Sequence, residues 1–173
     1  EIFGPVLAAL AFDDEEEALI KVRIVAAHID ILIARRIWNW KSTSYSAMQY
    51  NMFQLVILNI RGKSATELAR ILTQRPDAEE ETFSSNERFS LHGMNRPQVH
   101  HLLARITDFI EIRSGRQSRY NDYIHRGKNG YEVEHIWANH AHRYDDEFNH
   151  PTEFSEYRNR IGGLLLLPKS FNA

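Results

Sequence analysis

Tyr131-Glu132-Val133-Glu134-His135-Ile136 and, roughly two dozen residues later, Arg160-Ile161-Gly162-Gly163-Leu164-Leu165-Leu166-Leu167-Pro168 are the stretches that decide the fold. The first alternates apolar and polar side chains, as a half-buried strand does, and ends in an acid followed directly by a histidine. The second is a continuous apolar run closed by proline, the pattern of a buried strand. Gly127-Lys128-Asn129-Gly130 reads as the turn before the first strand. Thr152 is placed to cap a short helix over 153–160, and Ser170, Phe171 and Asn172 look like the entry to another helix. The predicted order is strand, long polar loop, strand, helix.

Upstream the periodicity is helical. Leu19, Val22, Ala26, Ile29 and Ile33 recur at three- and four-residue spacing behind an acidic run, Asp13 to Glu17, suited to the positive end of a helix dipole. A second helix is expected over 46–60, stopped by Gly62, and Ser64-Ala65-Thr66-Glu67 is a capping box for a third. Residues 76–92 look like a loop or hinge. Asn95 then opens a helix in which Val99, Leu102, Leu103, Ile106, Phe109 and Ile110 repeat until Gly115 ends it. The fold class expected is mainly α: a helical region over 1–90, then a helix and a small two-strand unit over 91–173. The chain starts at Glu1 and stops just after an apolar run, which reads as a fragment of something longer, truncated at its C-terminus.

The 173 residues carry 21 Lys and Arg against 23 Asp and Glu, so bulk charge gives no argument for nucleic acid or membrane. Charge and histidine are unevenly spread: residues 1–90 hold 10 basic and 13 acidic side chains, and eight of the nine histidines follow them. There are no cysteines, which excludes disulfides, a thiolate nucleophile and cysteine-ligated zinc or iron-sulfur sites. No uncharged apolar run approaches the ~18 residues of a membrane span and no leader-like segment opens the chain, so a cytoplasmic protein with no membrane partner is expected. Arg113, Arg116, Arg119, Arg126 and Lys128, interleaved with Tyr120 and Tyr123, suit phosphate contacts with aromatic support, or are ordinary surface cations.

Glu134-His135-Ile136, then Arg160-Ile161-Gly162-Gly163-Leu164-Leu165-Leu166-Leu167 and Asn172, resembles the HNH-type nuclease domain of the GmrSD family of modification-dependent restriction enzymes. That family shows an acid-His-Ile strand and an Arg-x-Gly-Asn-Leu-x-Leu-Leu strand followed by a helical Asn. The match covers 131 to the end. Upstream, Ile33-Ala34-Arg35-Arg36-Ile37-Trp38-Asn39 and Ser44-Tyr45-Ser46 also look like the helices that precede the domain, most of all in the phosphorothioation-sensing effectors of the SspE type. The resemblance implies a ββα-metal (HNH-like) unit that nicks or cuts phage or modified double-stranded DNA. It further implies a sensing, nucleotidase-like domain upstream in the same full-length protein, and nothing in this chain matches that domain.

By this resemblance His135 is the general base, with Glu134 and Asn172 as oxygen ligands for Mg²⁺ or Mn²⁺. The residue types suit the reaction: a near-neutral imidazole can take a proton from water, and a hard cation neutralises charge growing on phosphate and leaving oxygen. Neighbours in an ideal strand face opposite ways, so Glu134 and His135 share a site only where the strand bends or ends. Gly163 departs from the pattern, standing where the family has the Asn that orients the histidine's loop. His140 and His142, with His135 or His150, offer a second metal reading, Zn²⁺ or a transition metal. DNA contacts are expected from Arg113 to Lys128 and from Arg158 and Arg160. Two other readings stay open: a non-catalytic helical docking or regulatory module with a degenerate HNH remnant, and an RNA-directed nuclease toxin.

Overall fold

A computed structural model describes residues 3–14, 16–74, 82–125 and 127–172, apart from the side chains of Phe3, Ile57 and Asn172. The chain is mainly helical, with a two-stranded antiparallel sheet among the described residues. It divides into two compact units, Glu1–Glu87 and Arg88–Ala173. Among the described residues no helix is long and apolar enough to cross a membrane.

The first unit contains α1 (Phe3–Ala8), α2 (Ala18–Trp38), α3 (Tyr45–Gln54) and α4 (Ala65–Gln74). The acidic run precedes α2, yet none of its carboxylates enters that helix's first turn. Asp14 pairs instead with the buried Lys21 at 2.5 Å, and Glu17 accepts from the Ala65 amide at 3.1 Å, so it serves the unpaired amides at the start of α4. The helix expected over 46–60 is in two parts. After α3 come six residues of π-helix, Leu55–Ile60, in which the Arg61 amide donates to Val56 O at 3.0 Å. At 100° per residue, positions five apart face different sides of an α-helix. The wider i→i+5 turn lets both Leu55 and Ile60 be buried, at 1% and 0% exposed. Gly62, at φ +69°, ends the element in the left-handed region. The capping box is formed as expected: Ser64 N donates to Glu67 Oε2 at 2.9 Å and Glu67 N to Ser64 Oγ at 3.3 Å. Val25 and Ile29 of α2 meet Leu68 and Leu72 of α4, with Leu55 and Ile60, in one core.

The second unit contains α5 (Arg96–Arg113), α6 (Tyr120–Ile124), β1 (Tyr131–His135), α7 (Pro151–Arg158) and β2 (Leu164–Pro168). Single 3₁₀ turns cover Ala141–Tyr144, Ile161–Gly163 and Lys169–Asn172. Asn95 precedes α5, but its side chain caps nothing. Its Oδ1 accepts from His92 N at 2.8 Å and its Nδ2 donates to Ser90 O at 2.9 Å, which closes the turn before the helix. α5 buries Val99, His100, Leu103 and Ala104 and ends before Gly115 at φ +81°. The apolar repeat continues on its C-terminal half, where Ile106, Phe109 and Ile110 are exposed. α6 was not expected. It is tied to α5 by the buried Tyr123 hydroxyl, which donates to Glu111 at 2.5 Å; burial and that carboxylate hold the phenol up to about 12.

β1 and β2 pair antiparallel, from Tyr131 opposite Pro168 to His135 opposite Leu164. The second strand starts at Leu164 rather than Ile161. A Cβ at Gly163 would lie 2.7 Å from Arg158 O, so the chain turns tightly there before it extends. Arg96 and His100, one helical turn apart on α5, reach the carbonyls that β1 points away from β2: Arg96 Nη2 donates to Val133 O at 2.8 Å and His100 Nε2 lies 3.2 Å from Tyr131 O. The long polar loop between the strands has a small core of its own. Trp137 meets Tyr144 at 4.9 Å and Tyr157 at 5.5 Å between ring centroids, and Tyr144 stacks on Phe154 at 5.0 Å. α7 begins at Pro151, capped by His150, whose Nδ1 accepts from Thr152 N at 3.1 Å; Thr152 is not the cap.

Candidate active site

His135 is the last residue of β1, and its neighbour across space comes from the end of α7. Its Nε2 lies 2.8 Å from Asn159 Oδ1, the C-cap residue of that helix. A carboxamide oxygen only accepts, so the bond requires the proton on Nε2 and leaves Nδ1 with a lone pair. Two further contacts hold Asn159 in place. Leu91 N donates to Asn159 O at 2.8 Å, and Arg158 Nε donates to Trp137 O at 2.8 Å, fastening the end of α7 to the residues that follow β1. The aromatic cluster around Trp137 therefore sets the position of Asn159 against His135.

The ring is half-buried. Burial lowers its pKa below 6.5, the Asn159 bond opposes that shift, and the charges of Arg158 and Arg96 add to it while Glu134 opposes it. The imidazole is neutral at pH 7, as a proton acceptor must be.

Glu134 is half-buried beside it. The ladder is unbroken through His135, and Ile136 N continues it to Gly163 O at 2.9 Å, so no extra residue turns Glu134 onto the histidine's face; the strand does end at His135. The side chain of Asn172 lies outside the described residues, as does Arg126. His140 and His142 are exposed with ring centroids 5.6 Å apart. Among the described residues no group of three or more His, Asp or Glu is placed to hold a metal. Glu134 thus lies on the other face of the strand from the imidazole, and the described side chains do not complete a cation site.

Gly163 is buried, and the 2.7 Å approach of Arg158 O leaves no room for the Asn that the resemblance expects there. The amide that meets the histidine is Asn159, four positions earlier, which the sequence reading did not single out. Its only signal was its place directly before Arg160-Ile161-Gly162.

Of the expected phosphate contacts, Arg113, Arg116 and Arg119 stand around the exposed turn between α5 and α6, and Lys128 is exposed before β1. Arg116 pairs with Glu111 at 3.2 Å and Arg119 with Asp122 at 3.0 Å. Arg158 and Arg160 are at the end of α7 by Asn159; Arg158 uses its Nε on the Trp137 carbonyl, and Arg160 lies over the Tyr157 ring at 5.5 Å. Comparison of the chain with protein-family models, with curated proteins and with solved structures finds no match in any of the three.

Proposed function

We propose that the second unit is a metal-dependent DNA endonuclease of the HNH type, a ββα-metal unit belonging to an anti-phage restriction protein. The observation that carries this reading is the bond from His135 Nε2 to Asn159 Oδ1, which presents a neutral imidazole with Nδ1 as the acceptor at a strand end. Nδ1 takes a proton from water, the water oxygen attacks phosphorus, and the bond to the leaving oxygen breaks. Mg²⁺ or Mn²⁺, when bound, supplies charge neutralisation on the phosphate and the leaving oxygen; Glu134 and Asn172 are its proposed ligands, and Zn²⁺ on His140 and His142 is the weaker alternative. Arg160, with Arg113, Arg116, Arg119, Arg126 and Lys128, gives salt-sensitive contacts to duplex DNA, and Arg158 orders the loop behind the pair. Recognition of modified or phage DNA belongs to a sensing domain elsewhere in the full-length protein.

The test is conversion of supercoiled plasmid to the nicked form in Mg²⁺ or Mn²⁺ by the full-length protein. His135→Ala is expected to abolish it, and nicking at the parent rate by that variant removes His135 from the reaction. A structured RNA assayed in parallel distinguishes the RNA-directed reading. Gly163, which excludes the family's amide from its usual place, favours the docking-module reading; that reading predicts no nicking by either protein.

A further inference from the structure

A cavity of 380 Å³ opens between α5 and β1, lined by Arg96, His100, Tyr131, Glu132, Val133 and Lys169. Its volume falls in the range that accepts one small ligand, roughly 300–1,000 Å³. Three features give its chemistry. Arg96 spends one N–H on Val133 O and keeps others of its five donors, while Lys169, with three donors, uses one on Gly127 O at 3.3 Å. Glu132 is the acid of the lining, so the cavity has two cations against one carboxylate. Buried His100 and Tyr131 add aromatic residues to the lining.

Its place matters as much as its charge. Val133 precedes His135 by two residues on the same strand, about 7 Å at ~3.3 Å per residue. A nucleic-acid strand advances ~3.4 Å per nucleotide along its axis. By these spacings, a DNA strand with its scissile phosphate at His135 would have a nucleotide about two positions away at the cavity.

We propose that this cavity is a nucleotide subsite for the DNA strand adjoining His135, with a phosphate held between Arg96 and Lys169 and an N–H or O–H of sugar or base donated to Glu132. The proposal rests on the nuclease reading for its substrate and makes a separate claim about binding. Arg96 also fastens α5 to β1, so Lys169 is the residue to change. Lys169→Met keeps the apolar stem and removes only the charge; Lys169→Arg keeps the charge.

The experiment is fluorescence anisotropy of a labelled single-stranded DNA of about 16 nucleotides. It is run with the His135→Ala protein, to prevent cleavage, from about 50 to about 200 mM salt. Loss of one phosphate contact is expected to make the slope of log affinity against log salt shallower by about 0.7 in the Lys169→Met protein, with the parent slope kept by Lys169→Arg. An unchanged slope in Lys169→Met, in a protein whose circular dichroism and melting match the parent, overturns the subsite, as does the absence of measurable binding by the parent. The two claims fail separately. Nicking lost in His135→Ala with an unchanged Lys169→Met slope sinks the subsite alone, whereas nicking retained in His135→Ala with a shallower slope leaves a DNA-binding cavity and sinks the catalytic role of His135.

Discussion

On the proposed nuclease reading, the Nδ1 lone pair of His135 is available only in the neutral ring, so its titration would set an acid limb on activity. Burial places that limb below pH 6.5, and the Asn159 bond, which favours the protonated ring, opposes the shift. Nicking should therefore climb with pH below 6.5 and be level near pH 7. Asn159→Ala should lower the rate and move the limb to more acidic pH, a shift that a residue of merely structural importance would not produce; a pH-rate profile of the two proteins measures it. The same titration bears on stability. With the folded pKa below the unfolded value of ~6.5, the unfolded chain binds more protons as the solution acidifies, so the contribution of His135 is complete above pH 6.5 and declines as pH falls. Gly162 and Gly163 make a second contrast at this scale. A Cβ at Gly162 meets nothing within 4 Å, while one at Gly163 meets Arg158 O at 2.7 Å. Gly163→Ala should cost about 1–3 kcal/mol, the usual range for overpacking. Gly162→Ala should be neutral or mildly stabilising, and urea midpoints of the pair decide the matter.

Among the elements, α4 has the clearest start signal in the sequence and the structure forms it. Ser64→Ala should cost about 1 kcal/mol, read from a urea titration, because it removes the acceptor for Glu67 N. The bonds from Ser64 hold the Glu67 carboxyl below the usual carboxylate range, so the cap persists in mild acid and weakens as pH drops through that lowered value. Legibility followed the same local logic elsewhere. α2, α5 and the first strand could be read because their apolar spacing reports a period directly, and the second strand from its continuous apolar run, although it begins at Leu164 rather than Ile161. The π-turn at 55–60 could not, since Leu55 and Ile60 reach a common core only when the backbone widens, and that depends on α2 and α4. The loop from Trp137 to Tyr157 looked polar because its five aromatic residues have no regular spacing; their meeting is a tertiary event. His135 was singled out by the resemblance of its acid-His-Ile motif, whereas Asn159 was not, because its partner is 24 residues away in sequence.

At the scale of the molecule, each of the two compact units buries its own apolar residues, Ile29 and Leu68 in the first, and in the second Val99 and Val133 together with Phe154 of the aromatic cluster. Leu68 is 0% exposed, so Leu68→Ala should destabilise the first unit by roughly 2–5 kcal/mol. Hydrogen exchange is expected to quicken in α2 and α4 while the amides of β1 and β2 keep their protection. Equal loss of protection in both units would mean that they unfold as one. The near-neutral composition divides along a similar line, a helical region of net −3 before residue 90 and a net +1 region after it that holds most of the histidine.

A two-stranded sheet is ordinarily the part of a small protein most open to self-association, because an outer strand offers its free carbonyls and amides to any extended chain. On β1 the carbonyls of Tyr131 and Val133 are already engaged by His100 and Arg96. These two side chains therefore act as gatekeepers of solubility as well as fasteners of the fold. A chain in which α5 has come loose would present that edge of β1 to other copies.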